Sequence, residues 1–325
     1  MAVAKKSTTP RGGASMALRW RQTSVMDAAY PSCYGFAVTI SPTLPDALRE
    51  ATDRLAGISE TPRLDAELLM AHALNTGRSD MLLRQVALAV PDEFEALIER
   101  RMTNEPIAYI TGSQAFWDLD LAVTPDVLIP RADSETLIQW ALDHFADTVG
   151  PARILDLGTG SGALILAALS VFPDSQGVAI DVSNRALQVA ADNAKRSGFG
   201  ARVVLRHANW RVDGWAAELG QFDLILCNPP YVEADAALAP MVAAFEPPGA
   251  LFSGTDGLAD YRVLVPQMPS LLSSQGIAIF EIGHMQADAV CELAGKAGLN
   301  SAMRHDLAGK PRALRFSLGI ANMNG

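Results

Sequence analysis

The chain has 325 residues, of which 49% are hydrophobic and 19% charged, and its formal net charge is −10. This balance is typical of a globular protein and excludes a disordered chain, while the length allows one large domain or two ordinary ones. No apolar run approaches the roughly 20 residues that a membrane-spanning helix needs, so we expect no membrane partner. The acidic charge argues against binding nucleic acid mainly through its phosphates, which requires clustered Lys and Arg.

The first 40 residues carry a net charge of +4, which leaves −14 for the rest of the chain. They lack hydrophobic periodicity, and three interpretations are open: a disordered tail, a transit-like peptide, or a start assigned too early, with Met16 or Met26 as the initiator. We favour the tail or the early start and treat residues 1–43 as a basic leader. Without a continuous apolar stretch, secretion is not expected.

The three cysteines form no CxxC pair, and the five histidines are scattered without metal-ligand spacing. We therefore expect neither a disulfide framework nor a metal site. Dispersed cysteines fit a reducing compartment, which predicts a cytoplasmic location.

Residues 44–112 show helical periodicity, with Leu48, Ala51 and Leu55 on one face. Thr61 and Pro62 offer an N-cap followed by proline at the first helical position. A further amphipathic helix is marked by four apolar residues: Phe94, Leu97, Ile98 and Met102. The pattern predicts a small helical bundle.

The period changes to that of a strand within residues 113–130, where Trp117, Leu119, Leu121 and Val123 alternate with polar or small residues. We interpret this stretch as one arm of a hairpin that links the bundle to the following domain. The residues Asp133-Ser134-Glu135 then precede an apolar stretch and predict a helix start.

From residue 150 onward, short apolar runs alternate with helical patterns. The runs predict strands at 153–157, 177–181, 202–205, 222–227, 276–282 and 313–318. The helical patterns lie at 162–172, 184–197, 257–272 and 285–297. This alternation predicts an α/β fold, with a mostly parallel sheet and helices on both faces.

A glycine-rich turn follows the first of these strands and reads Asp156-Leu157-Gly158-Thr159-Gly160-Ser161-Gly162. Such glycines bring backbone amides close to a ligand, although an ordinary tight turn is an equally good interpretation of the loop alone. Asp181, at the end of the second strand, can accept hydrogen bonds from ribose hydroxyls, or it or Ser183 can cap the next helix. Together they favour a nucleoside cofactor. Asp156 favours S-adenosylmethionine over a dinucleotide, because its carboxylate can receive an ammonium group but would repel a pyrophosphate.

The fourth strand is followed by Asn228-Pro229-Pro230-Tyr231. A structural turn is the alternative, but ligands of open α/β sheets bind beyond the carboxyl ends of the strands. The Asn228 side-chain oxygen and the Pro229 carbonyl can each accept one N–H of an NH2 group, which orients that nitrogen toward a methyl donor. Tyr231 can pack on the flat face of the amide or base. No general base is required, because the nitrogen can lose its proton after transfer.

Several stretches resemble the glutamine-N5 methyltransferases that modify peptide chain release factors. In the first half they are PRLDAE at 62–67, EPIAYITG at 105–112, FW at 116–117 and LIPR at 128–131. In the second half they are DLGTGSG at 156–162, Asp181, Trp210, NPPY at 228–231, FEP at 245–247, LF at 251–252, GTDGLADY at 254–261 and EIG at 281–283. The NPPY stretch alone is shared with adenine-amino methyltransferases of DNA, whereas the stretches from the helical domain, LIPR and FEP make the resemblance specific.

The resemblance implies a Rossmann-like, seven-stranded, mostly parallel methyltransferase domain at residues 131–320, a hairpin linker at 113–130 and a substrate-docking helical domain at 44–112. Together with Asp156, the residues implied to hold S-adenosylmethionine are Gly158, Thr159, Gly160, Ser161, Gly162, Asp181, Trp210 and Asn228. The residues implied to hold the glutamine of a release factor's Gly-Gly-Gln loop are Asn228, Pro229, Pro230 and Tyr231. Arg131 is implied to support the site or the partner; a surface ion pair with Asp133 or Glu135 is the alternative.

The implied activity is methyl transfer from S-adenosylmethionine to the amide nitrogen of that glutamine in class-1 release factors. A glutamine of a ribosomal protein, an adenine amino group of nucleic acid and a non-enzymatic release-factor adaptor remain alternatives. The acidic charge of residues 41–325 weighs against flipped nucleic-acid bases, and the intact Asn228-Pro229 pair weighs against an adaptor. We expect a monomer with no direct nucleic-acid partner.

Overall fold

The computed structural model describes residues 42–84, 86–306 and 308–319. The predictions for residues 1–41, including both alternative start positions, lie outside these ranges. Within them, no helix combines the length and the apolar character needed to cross a bilayer. The same ranges hold no cluster of three or more His, Cys, Asp or Glu side chains that could bind a metal ion.

Five helices precede the first strand. They are α1 (Leu44–Leu55), α2 (Pro62–Ala73), α3 (Arg78–Arg84), α4 (Phe94–Met102) and α5 (Ile107–Thr111). The predicted helical positions of α1, α2 and α4 are confirmed, and their apolar faces form one buried cluster that includes Leu48, Leu69 and Phe94. Thr61 does occupy the position before α2, but its hydroxyl donates to Asp65 and caps no backbone amide.

A hairpin follows the helices and consists of β1 (Ser113–Phe116) and β2 (Leu119–Ala122). The predicted strand over residues 117–123 was too long at its start, because Trp117 lies in the turn with φ of 56°. Its backbone N–H donates to Glu135 Oε1 at 2.9 Å, which ties the hairpin to the helix α6 (Glu135–Phe145). The predicted helix start near residue 134 is confirmed.

The central sheet has seven strands in the order β5-β4-β3-β6-β7-β9-β8, and only β9 runs opposite to the other six. The strands are β3 (Arg153–Leu157), β4 (Gln176–Asp181), β5 (Val203–His207), β6 (Phe222–Cys227), β7 (Leu272–Glu281), β8 (Leu299–His305) and β9 (Pro311–Leu318). The predicted fold class, a seven-stranded and mostly parallel methyltransferase sheet, is confirmed. The pattern of apolar runs missed β8, an edge strand in which only Leu299 is buried.

Helices cover both faces of the sheet, so the central strands are apolar on both sides. The helices that follow α6 in the chain are α7 (Ala163–Val171), α8 (Asn184–Arg196), α9 (Pro240–Phe245), α10 (Ala259–Leu264), α11 (Met268–Leu271) and α12 (Ala287–Lys296). Ile154 and Leu224 contribute to one core cluster, whereas Leu155 and Ile225 contribute to the other. The helix predicted over 257–272 is broken by a 3₁₀ turn, Val265–Gln267, that contains a proline.

The strand order determines where the candidate site forms. Strand β3 lies between β4 and β6, and Leu157 is paired with both Ile180 and Cys227. The residues that follow these three partners therefore meet at one edge of the sheet. The glycine loop, Asp181 and Asn228 are brought together there.

Candidate active site

Backbone hydrogen bonds hold the glycine loop to the neighbouring strand. The amides of Gly158 and Thr159 donate to the Ile180 carbonyl at 3.0 and 2.9 Å. Gly158 and Gly160 have φ of 75° and 55°, a region that favours glycine. The sharp turn therefore depends on these glycines, and α7 begins directly after it.

Asp156 lies wholly buried beneath the loop. Its Oδ2 accepts a hydrogen bond from Thr159 Oγ1 at 2.6 Å, while Oδ1 has no partner among the described residues. Burial raises the pKa of Asp156 to about 7, and the Thr159 hydrogen bond opposes that increase. The carboxyl group thus fixes the loop from below, and its predicted contact with an ammonium group stays a prediction.

Asp181 and Ser183 have separate roles at the end of β4. Asp181 Oδ2 accepts from the Gly160 amide at 2.9 Å, and Oδ1 accepts from the Ser183 amide at 2.8 Å. Ser183, and not Asp181, caps α8 by accepting from the Ala186 amide at 3.2 Å. Burial raises the pKa of Asp181, which backbone hydrogen bonds from Ser183 and Gly160 oppose. Asp181 is thereby held in place beside the glycine loop.

Trp210 packs against the glycine loop and is anchored from behind. A Cβ atom at Gly158 would lie 3.1 Å from Trp210 Cη2, so only glycine leaves the indole in this position. The indole N–H donates to Asp260 Oδ1 at 2.8 Å, and Asp260 is buried and also accepts from Ser253 and Arg211. Sequence reasoning missed Asp260, although it lies within the GTDGLADY stretch.

A cavity of about 290 Å³ connects these groups. Its wall includes six residues predicted for the site: Gly158, Gly160, Asp181, Trp210, Asn228 and Pro230. A second cavity of about 60 Å³ shares Asn228 with the first and adds Thr159, Ser161 and Arg131. Four other predicted site residues, all described, line neither cavity: Asp156, Gly162, Pro229 and Tyr231.

Asn228 and Tyr231 converge on Glu281, the last residue of β7. Asn228 Nδ2 donates to Ser134 Oγ at 3.3 Å, and Ser134 Oγ donates to Glu281 Oε2 at 2.5 Å. The Tyr231 hydroxyl donates to Glu281 Oε1 at 3.3 Å. Burial and the charge of Glu281 raise the pKa of Tyr231, so the phenol stays protonated at neutral pH. Sequence reasoning missed both Ser134 and Glu281 as members of the site.

Arg131 pairs with Glu246, whose side chain is fully buried. The alternative partners considered from the sequence were wrong, because Asp133 pairs with Arg312 at 2.9 Å and Glu135 accepts from the Trp117 amide. Glu246 lies 115 residues from Arg131 in the chain, which local sequence could not reveal. The pair places a half-exposed guanidinium at the smaller cavity.

Comparison with known proteins agrees with this geometry. The family described as PrmC N-terminal domain matches residues 46–112, and the family described as methyltransferase small domain matches residues 134–245. The catalytic domain of hMettl16, in complex with MAT2A 3′UTR hairpin 1, has a similar fold, with a TM-score of 0.50 at 12% identity over 71% of this chain and 84% of that chain.

Two curated relatives carry the name release factor glutamine methyltransferase. The protein from Rhodospirillum rubrum is 42% identical over 80% of this chain and 80% of its own length. The protein from Cereibacter sphaeroides is 40% identical over 85% of this chain and 99% of its own length. At this identity and coverage, the chain belongs to the release factor glutamine methyltransferase family.

Proposed function

We propose that the protein transfers the methyl group of S-adenosylmethionine to the side-chain amide nitrogen of the glutamine in the Gly-Gly-Gln motif of class-1 peptide chain release factors. The observation that carries the proposal is the position of Asn228. This side chain lines both cavities, and its Oδ1 has no hydrogen-bond partner among the described residues. Asn228 Oδ1 is thus free to accept a hydrogen bond beside a pocket of the nucleoside type. Such an oxygen suits a substrate whose NH2 group receives the methyl group.

The pocket residues fit S-adenosylmethionine. A Cβ atom at Gly160 would project into open space at the cavity, so the glycine leaves room for a ligand against the backbone. The Asp181 carboxylate can accept from ribose hydroxyls, and the Trp210 ring offers an apolar surface for a base. When bound, this cofactor supplies an electrophilic methyl group on a sulfonium sulfur. We propose that Asp156 receives the ammonium group at the charged end of the cofactor. Arg131, in contrast, is proposed to support the site or the partner.

The residues of the NPPY turn orient the substrate nitrogen. We propose that Asn228 Oδ1 accepts one N–H of the glutamine amide and the Pro229 carbonyl accepts the other, which holds the NH2 group in a fixed plane. The neighbouring prolines limit the backbone freedom of this turn. Tyr231, held protonated by burial beside Glu281, does not act as a base. The amide proton can therefore leave to solvent after transfer, and catalysis depends on orientation.

The glycine loop yields a test of the proposed cofactor pocket. We expect Gly158→Ala to weaken S-adenosylmethionine binding about tenfold or more, because the new methyl group would press on Trp210. Gly198→Ala is the matched control, since Gly198 has a similar φ of 78° and its added methyl group would meet no atom within 4 Å. Both variants lose roughly 1–2 kcal/mol of stability from backbone strain. Calorimetric titration with the cofactor separates the two, and equal affinities would contradict the assigned pocket.

The helical residues 44–112 are our proposed docking domain, with residues 113–130 as linker and 131–320 as catalytic domain. The docking role is supported by a cleft of about 520 Å³ that bundle residues such as Asp65 and Arg101 line together with Arg131 and Met241. Arg131 lines both this cleft and the smaller cavity, so the two are adjacent. We further propose a cytoplasmic monomer without a direct nucleic-acid partner.

The proposed activity is tested by mixing the purified protein, S-adenosylmethionine and a class-1 release factor, then locating the modification by mass spectrometry. We expect the mass of one methyl group on the glutamine of the Gly-Gly-Gln motif. A release factor with that glutamine replaced by alanine is the control and should gain nothing. A ribosomal protein offered in the same mixture measures preference. Absence of the adduct on a folded release factor would refute the proposal.

A further inference from the structure

The hydroxyl groups of Ser134 and Tyr231 converge on one buried carboxylate, that of Glu281, behind Asn228. Ser134 and Glu281 are only 4% and 1% exposed, so their orientations are set by contacts within the protein. Glu281 ends β7, the strand next to β6, and Asn228 follows β6 directly. Ser134 lies immediately before α6. Ser134 and Glu281 are 147 residues apart in the chain, and the fold brings them within hydrogen-bond distance.

The single hydroxyl proton of Ser134 determines which end of the Asn228 amide faces Ser134. Ser134 has a single O–H, and it donates to Glu281 Oε2 at 2.5 Å. The Ser134 oxygen can then only accept, so the group that Asn228 presents at 3.3 Å must be its NH2. Asn228 Oδ1 is thereby turned away from Ser134. Oδ1 has no hydrogen-bond partner among the described residues, and Asn228 lines both cavities.

The groups around Glu281 keep it in the role of acceptor. Burial raises the pKa of Glu281, and the Ser134 hydrogen bond and the charge of Arg312 oppose this increase; the acceptor role rests on the arrangement of its donors. Each carboxylate oxygen receives a hydroxyl, Oε2 from Ser134 and Oε1 from Tyr231. The Tyr261 hydroxyl donates to the Glu281 backbone carbonyl at 2.7 Å and fixes the end of β7. The carboxylate is thus held between donors on both sides.

We propose that Ser134 and Glu281 are positioning residues that set the orientation of the Asn228 amide, with Oδ1 and not Nδ2 facing the substrate. The inference rests on the proposed function, since the acceptor group is an NH2. A reversed amide would oppose one NH2 group to another and would leave the substrate nitrogen without its acceptor. The relay from Glu281 through Ser134 excludes that orientation.

Ser134→Ala tests the relay, and Ser175→Ala is its matched control. Ser175 is equally buried and also donates its hydroxyl to a single acceptor, the Pro151 carbonyl, but it lines neither cavity. We expect Ser134→Ala to lower kcat for release-factor methylation by about 10- to 100-fold, with the cofactor Kd changed less than about twofold. Ser175→Ala should leave kcat within about twofold. Glu281→Met removes both acceptor oxygens, should lower kcat in the same way, and provides a second variant if Ser134→Ala fails to fold.

A second measurement separates positioning from a general structural effect. In an Asn228→Ala background there is no amide to orient, so adding Ser134→Ala should change the residual rate less than about twofold. A normal kcat for both single variants would overturn the proposal, as would a loss of equal size in the Asn228→Ala background. The wild-type protein is assayed in parallel. Failure of the wild type to methylate the release factor would refute the proposed function, whereas a normal wild type beside unaffected variants would refute only the positioning role.

Discussion

Asn228→Ala is expected to lower kcat for methylation of a release factor by about 100- to 1000-fold, a loss typical of removing one preorganised polar group from an active site. The reason is the loss of the only side-chain acceptor that we assign to the substrate NH2. The Pro229 carbonyl would remain, so binding of the substrate would continue with a poorly oriented nitrogen. Because the glycine loop, Asp181 and Trp210 are unchanged, the cofactor Kd should change less than about threefold.

Asn300→Ala is the control for this variant. Asn300 lies in β8 and donates to the Leu318 carbonyl at 3.3 Å, and the same loss of an amide there should leave kcat unchanged. Steady-state rates are measured at saturating cofactor, and thermal unfolding verifies that both variants fold. A rate for Asn228→Ala within about threefold of wild type would refute the hydrogen-bond mechanism of orientation.

Asp65→Ala should destabilise the helical bundle by about 3–5 kcal/mol, because it leaves a buried guanidinium without its counterion. Arg101 Nε donates to Asp65 Oδ2 at 2.8 Å, and the two side chains are only 7% and 8% exposed. The pair joins α4 to α2. If residues 44–112 form the docking domain, destabilising the bundle should weaken binding of a release factor more than tenfold. The cofactor Kd should stay nearly unchanged.

Asp53→Ala is the matched control, since Asp53 is an exposed carboxylate of α1 for which no ion pair is formed among the described residues. Its effect on stability should stay within about 0.5 kcal/mol. Urea unfolding gives the stability difference, and titration calorimetry gives both affinities. If Asp65→Ala unfolds like wild type, the buried pair contributes little. If it loses affinity equally for cofactor and release factor, the helical domain has no separate docking role.

Much of the catalytic domain could be predicted from the sequence because its strands are buried on both faces. The runs ending at Leu157, Asp181 and Cys227 agree closely with β3, β4 and β6. Elements with few buried residues escaped prediction: α3 buries only Met81, and α9 buries no residue at all. Periodicity reports burial, so it gave no signal for these two helices.

The residues of the candidate site also fall into a predictable and an unpredictable group. Residues supplied by a single turn, such as Gly158 and Asn228, could be identified from local motifs. Supporting residues could not, because their partners lie far away in the chain: Ser134 and Glu281 are separated by 147 residues, and Trp210 and Asp260 by 50. Only the fold brings such pairs together. The local sign that Asp260 and Glu281 offered is their place in two stretches of the family resemblance, GTDGLADY and EIG.

The pairing of Leu157 with Cys227 has a consequence for how this enzyme family can diversify. The glycine loop, which we propose for the methyl donor, and the NPPY turn, which we propose for the methyl acceptor, follow adjacent strands. The backbone hydrogen bonds between β3 and β6 therefore set the distance between them. The helical bundle takes no part in this strand pairing. With residues 44–112 as the docking domain that we propose, changes in the bundle would alter which protein is recruited without disturbing transfer, and partner choice and reaction chemistry could evolve separately.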